Sequence, residues 1–279
     1  MRLLEQRPVR QHRSLTFAVL GLAGLSVSAG CSYRVMSPPA RMINLESAQT
    51  ATRGETVVGA HAAGYAAIFD PGALVASAGV RRGVTESVEL DADASWAHVS
   101  YESSGDNPQP FANLDRNIYA ARFGTKVGLA KWAALMAGAG GGYAPAGGGF
   151  AALDAGAAFS YPNCWVVPFG NATLFGSQPI GAKRVDFRSS DGSLIASDKA
   201  DFTYGFGLGA GVEVPLDHAR CREGRTSTRF QLGVGTQTMI PGHDAVTMTT
   251  TTMGDTTVSE TKDQRYGVFG LSAGFEVPF

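Results

Sequence analysis

Five charged residues stand out as a set able to act together: Glu89, Asp91 and Asp93 on one segment, Arg122 and Lys126 on another. Two carboxylate–cation groups at alternate positions can do one of two things inside a protein. They can neutralise each other and hold a passage shut, because an unpaired buried charge is costly. They can also leave a charged constriction that selects small solutes. Other chemistry finds little support. The histidines are His12, His61, His98, His218 and His243, and no two have metal-ligand spacing. No metal or cofactor is therefore expected. The glycines from Gly138 to Gly149 lack the following Lys-Ser/Thr of a phosphate loop. His98 and Ser100, two apart, are the one place where an enzyme could be sought. Three cysteines are present, Cys31, Cys164 and Cys221.

The elements that must position the charged set are strands. Val88, Leu90, Ala92, Ala94 and Trp96 alternate with Glu89, Asp91, Asp93 and Ser95. A period of two places successive side chains on opposite faces of a pleat. The same alternation puts Tyr119, Ala121, Phe123 and Val127 opposite Arg122, Gly124 and Lys126. It puts Phe202, Tyr204, Phe206, Leu208, Ala210, Val212 and Val214 opposite Gly205, Gly207, Gly209, Gly211 and Glu213. In the last segment Phe269, Leu271, Ala273, Phe275, Val277 and Phe279 oppose Gly270, Ser272, Gly274 and Glu276. In all, ten strand-like segments lie between turn signals, near 55–69, 73–82, 87–101, 117–129, 132–142, 149–161, 164–177, 200–215, 228–239 and 265–279. A helix over 129–139 is the rival for the fifth, but the glycines beyond it favour strand. The segment 164–177 mixes types on both faces and contains Pro168.

Glycine accounts for 36 of 279 residues, and charged residues for 17 %. A solvated strand face carries Lys, Glu and Gln rather than glycine at every second residue. A narrow barrel interior needs small residues. The bulky faces are therefore expected to point outward into lipid, and the glycine and ion-pair faces inward. Loop lengths agree. With both chain ends of the barrel on one side, the three longest connections, 102–116, 178–199 and 240–264, fall on the other. The segment 183–199, with a turn at Asp191-Gly192, suggests a hairpin projecting above the membrane, and 247–261 is Thr-rich. The links near 83–86, 129–131 and 161–163 are short, and only 216–227 is long on that side. Cys164 and Cys221 then share one rim, and a disulfide between them is possible. Pairing Tyr101 near Arg116 would set Asp91 opposite Lys126 and Asp93 near Arg122.

The N-terminus reads as an export signal. Arg2, Arg7, Arg10 and Arg13 precede an uncharged, mostly apolar run over 14–30. Ser28-Ala29-Gly30-Cys31 resembles a lipobox, whose cysteine takes the lipid and becomes the mature N-terminus. The domain plan is thus 1–30 signal peptide, 31–54 lipidated tether, 55–279 barrel. The tether reading rests on Pro38-Pro39 and weak alternation. Net charge is −1, and loss of four Arg and one Glu with residues 1–30 takes it to −4. That gives no basic footprint for nucleic acid.

Alternation, loop asymmetry and a terminal Phe279 make residues 55–279 resemble the small bacterial outer-membrane β-barrel superfamily, of the OmpA, OmpX and OmpW kind. The resemblance implies an all-β, antiparallel, up-and-down transmembrane barrel of about ten strands in the outer membrane. Its partners would be the lipid bilayer, an N-terminal lipid anchor and the barrel assembly machinery, which reads the C-terminal strand. It carries no catalytic residues over. Lipid A deacylases of this kind place a His and a Ser two apart on the lipid-facing wall, but here Tyr101-Glu102 follow, unlike their motif. The functions left are a structural or surface-interaction barrel with a mostly filled lumen, a narrow porin for small polar solutes, or a soluble periplasmic barrel binding an apolar ligand.

Overall fold

A computed structural model describes residues 35–66, 72–100, 117–145, 147–188, 194–242, 246–252, 255–261 and 266–279. The signal peptide, Cys31, His243 and the 102–116 connection lie outside the described residues. The strands are β1 (Thr56–Ala66), β2 (Gly72–Gly83), β3 (Val88–Ser100), β4 (Asn117–Ala130), β5 (Ala133–Ala144), β6 (Gly148–Ser160), β7 (Val167–Ile180), β8 (Arg184–Arg188), β9 (Leu194–Lys199), β10 (Thr203–Pro215), β11 (Arg229–Pro241), β12 (Val246–Thr252), β13 (Asp255–Thr261) and β14 (Tyr266–Pro278). One helical turn, α1 (His218–Arg222), lies between β10 and β11.

Ten strands close into an antiparallel barrel in the order β1-β2-β3-β4-β5-β6-β7-β10-β11-β14, and β14 pairs back onto β1. Each has 11 to 14 residues, enough to cross a bilayer as a tilted strand. The alternating segments read from the sequence are these ten strands. Pro168 is accommodated near the start of β7, where its side chain is outward and the ladder to β6 begins only at Phe169. The stretch 133–144 is strand, not helix. The hairpins β8–β9 and β12–β13 grow from the two long connections and join into a four-stranded sheet, β13-β12-β9-β8, at one barrel end. The expected hairpin over 183–199 is the β8–β9 pair.

The barrel is inside-out relative to a soluble protein. Phe123 is 72 % exposed, and Leu74, Leu153, Leu174 and Leu271 are exposed beside it on the outer wall. Glu89, Arg122, Lys126, Glu213, Arg229 and Glu276 are buried inside. Exposed aromatics gather at both rims: Trp132, Phe159, Tyr161, Trp165 and Phe279 at the short-turn end, Tyr119, Tyr143, Phe202 and Tyr204 at the other. Such girdles mark the two interfaces of a membrane. A soluble barrel with an apolar interior is not the arrangement found.

Within the expected 31–54 tether, residues 35–51 do not lie outside the barrel. From Val35 to Ala51 the chain runs through the lumen, with most of its residues buried. It enters beside β9 and β10, where Met36 bridges Asp201, and leaves at the short-turn end, where Arg53 bridges Gly83 and the chain turns into β1. An eight-stranded barrel is just filled by its own side chains. Ten strands lined by glycine leave space for one extended segment.

Candidate functional site

The lumen is the only chemically distinctive region among the described residues, and it is built from two partners, wall and plug. Apart from the single bridge at Met36, the plug, residues 35–52, pairs with no barrel strand, and each buried N–H and C=O needs a partner. Wall side chains supply them. Val35 N donates to Asp198 Oδ2 at 2.8 Å, and Ser37 N to Thr203 Oγ1 at 3.0 Å. Pro38 O accepts from Ser177 Oγ at 2.7 Å, Arg41 O from Gln237 Nε2 at 3.3 Å, and Met42 O from the Tyr65 hydroxyl at 3.1 Å. Asn171 Nδ2 donates to the carbonyls of Asn44 at 3.3 Å and Glu46 at 3.1 Å. Ala51 N donates to Glu89 Oε2 at 2.6 Å, and Thr52 N to Thr226 Oγ1 at 2.9 Å. Pro38 and Pro39 bring no N–H at all, so they add no donor to satisfy.

Shape complements the hydrogen bonds. A Cβ on Gly207 or Gly209 would strike Asn44, one on Gly233 would strike Leu45, one on Gly140 would strike Ala40, and one on Gly83 would strike the backbone of Ala51 and Thr52. Gly205 and Gly211 instead receive the rings of Phe175 and Phe169 from β7. The glycine face of β10 is thus a groove for the plug and for the bulky inward side chains of its neighbour.

The charged set lies where the sequence suggests, with one correction of register. Glu89 pairs with Lys126 and Asp93 with Arg122 across β3–β4, so Asp91 faces Gly124 rather than Lys126. The β3–β4 register is shifted by two residues from one that would pair Tyr101 with Arg116. Arg122 still reaches Asp91 by swinging over Gly124 and Gly138, where a Cβ would collide with its guanidinium. It also binds Asp154 through Nε (2.7 Å) and Nη2 (2.9 Å), and lies 3.7 Å from Asp93. Lys126 Nζ lies 3.5 Å from Glu89.

The sequence reading missed the remainder of this network. Arg81 bridges Glu89 (3.2 Å) and Glu276. Arg229 bridges Glu276 (3.1 Å) and Glu213 (3.0 Å). The plug joins both halves: Glu46 binds Lys126 at 2.8 Å and Arg41 at 3.0 Å, and Arg41 lies 3.5 Å from Asp154. The signal was available in part, since Glu213 and Glu276 share the parity of the inward glycines. The plug's share was hidden because its segment was read as lying outside. Above the ionic layer, towards the long-loop end, Ala40 and Met42 pack with Tyr65, Val75, Phe150, Ala152 and Val268 in an apolar layer. A cavity of about 60 Å³ lies between the plug and β1–β3, lined by Arg41, Glu46, His61, Arg81, Asp91 and Asp93 together with apolar residues such as Ile43 and Leu45. That is room for a few waters.

The other singled-out residues are elsewhere. Cys164 and Cys221 form a disulfide at the short-turn rim, with Cα atoms 5.7 Å apart. It ties the β6–β7 turn to α1, where His218 packs on Trp165 at 4.9 Å. His98 is on the outer wall stacked beside Trp96, and both contact Asn117 Oδ1, at 3.2 and 3.1 Å.

The sequence matches no family model and no curated relative. Among solved structures it is similar to Neisserial surface protein A, with 15 % identity over 81 % of this chain and 96 % of that one, at a TM-score of 0.33. It is similar to the N-terminal β-barrel domain of Pseudomonas aeruginosa OprF (12 % identity, 79 % and 96 %, TM-score 0.30) and to the outer membrane protein OprG of the same organism (9 %, 83 % and 99 %, TM-score 0.31). The membrane assignment rests on the barrel's own exterior. A closed antiparallel barrel with an apolar outer wall, two aromatic girdles and a polar, charged interior has the architecture of an outer-membrane β-barrel.

Proposed function

We propose that this chain is a sealed outer-membrane barrel with a structural or surface-presenting role, its lumen occupied by its own N-terminal segment. The observation that carries the reading is the burial of residues 35–51 inside the barrel, tied to the wall by both backbone hydrogen bonds and ion pairs. A porin keeps an aqueous path. Here an apolar layer lies above an ionic layer, and the cavity beside the plug has room for only a few waters. The part offered to the outside is the four-stranded sheet of β8, β9, β12 and β13.

The full-length protein in a planar bilayer is expected to show no conductance above that of lipid alone. Removal of residues 36–50 is expected to produce channel steps, with heat-modifiable gel migration verifying that the shortened barrel is closed. Solute-selective conductance by the intact chain would favour the narrow porin instead.

Lipidation of Cys31 belongs to the same reading. A thioether forms between Cys31 Sγ and a glyceryl carbon of a glycerophospholipid. The glyceryl C–O bond to phosphate breaks, the phosphate headgroup leaves with the bonding pair, and the thiol proton passes to solvent. Cells fed an alkyne-bearing fatty acid are expected to label the wild-type chain and not Cys31→Ser.

A further inference from the structure

We infer that the mature N-terminus is displayed on the long-loop, outward side of the barrel, so that a lipid on Cys31 sits in the outer leaflet rather than the periplasmic one. The inference rests on the filled lumen proposed above and goes beyond it by fixing which way the segment is threaded.

The argument begins with the two ends of the plug. Val35 is held by Asp198 of β9, and Ser37 by Thr203 at the start of β10 and by Ser177 near the end of β7, with the Ser37 and Ser177 hydroxyls 2.7 Å apart. All three partners are at the end that carries the β8–β9 and β12–β13 hairpins. Ala51 and Thr52 are held by Glu89, just past the β2–β3 turn, and by Thr226 in the β10–β11 turn, both at the opposite end. Between them Asn44 and Glu46 meet Asn171 of β7 midway. The chain therefore crosses the lumen once, from the hairpin end to the short-turn end.

Orientation follows from connection length. Outer-membrane barrels turn tightly on the periplasmic side and carry their long loops outside. The hairpin end is the outside, and Phe279 closes the barrel at the periplasmic rim beside Thr56. Reach then decides where Cys31 can be. It stands four positions before Val35, and four extended residues span at most ~14 Å. The apolar band is ~25 Å tall. A cysteine four residues before Val35 cannot be embedded in the periplasmic leaflet while Val35 holds Asp198. A lipid there must enter the leaflet on the hairpin side, or the plug must come out.

The test is compartment-specific proteolysis of the full-length protein in its own membrane. One variant carries a site-specific protease sequence inserted between Tyr33 and Arg34, and a second carries it between Glu223 and Gly224 in the short-turn end. The protease is added to intact cells, which exclude it from the periplasm, and to permeabilised cells. Expected is complete cleavage of the first variant in intact cells and cleavage of the second only after permeabilisation. Protection of the first in intact cells, or cleavage of the second there, overturns the proposal. The outcome is separable from the sealing claim. A non-conducting barrel with a protected Tyr33–Arg34 site would retain the seal and lose the threading direction. A conducting barrel with an exposed site would do the reverse.

Discussion

Arg122 concentrates the physics of this lumen in one side chain. It is 1 % exposed, and its guanidinium is shared by Asp91, Asp93 and Asp154. Breaking a buried pair from one side leaves its partner uncompensated, at a cost of about 3–5 kcal/mol. Arg122→Ala leaves three carboxylates facing one another, so a loss of at least that size is expected in urea unfolding followed by tryptophan fluorescence. Arg122→Lys is expected to recover only part of it, because a single ammonium cannot reproduce the two-point bond to Asp154. An unchanged midpoint for Arg122→Ala would remove the ion-pair account of the lumen. The inward direction of Glu89, Asp91, Asp93, Arg122 and Lys126 was legible from alternation alone. Their exact partners were not, because partners depend on register, and register depends on a connection whose length in the fold no local pattern states.

At the scale of elements, the short-turn end is tied down by Glu55, immediately before β1. Its carboxylate accepts from Arg220 Nη2 at 2.7 Å, from Thr226 N at 3.2 Å and from Arg225 Nε at 3.4 Å. Partial burial works to raise its pKa, but the Thr226 and Thr52 hydrogen bonds and the Arg220 charge together hold it below the usual carboxylate range. A lowered folded-state pKa contributes stability that is fully present above the unfolded value, about 4.3 for Glu. That contribution is lost as pH falls through the lower folded value. The stability gap between wild type and Glu55→Gln, measured by chemical unfolding across pH, is thus expected to be flat from neutral pH to about 4.3 and to close below it. A gap that widens on acidification would contradict this. The ten barrel strands were visible as period-two patterns because each has a lipid face and a lumen face. β8, β9, β12 and β13 are less visible, having no membrane to impose that contrast. The segment 31–54 carries the look of a tether for a related reason. A chain surrounded on all sides by wall has no polar face, and hence no period. Its signal was a different one: Val35, Met36, Ala40, Met42, Ile43 and Leu45 make it more apolar than a solvated linker needs to be.

For the whole molecule, sequence composition and architecture explain each other once the plug is in place. Among the inward glycines of β5, β10 and β11, Gly140, Gly207, Gly209 and Gly233 lie against Ala40, Asn44 and Leu45 of the plug, while Gly138, Gly205 and Gly211 make room for Arg122, Phe175 and Phe169 of the wall. The barrel closes through the β1–β14 seam, a ladder from Val57↔Pro278 to Ala66↔Phe269. The segment preceding β1 lies inside that closed wall, its backbone held at one end by Asp198 and at the other by Thr226. Sealing, threading and the outward N-terminus, as proposed above, all depend on that one placement.

The most direct measurement of that claim is an engineered cross-link between plug and wall. Ser37 Oγ and Ser177 Oγ are 2.7 Å apart, so Ser37→Cys with Ser177→Cys sets two thiols within reach of a disulfide. In protein extracted from membranes under non-reducing, denaturing conditions, the account predicts no alkylatable thiol at positions 37 and 177 and a tryptic peptide pair joined through them. Free, fully alkylated thiols at both positions in a barrel that still shows heat-modifiable migration would mean that residues 35–51 lie outside the lumen, and the account would be wrong.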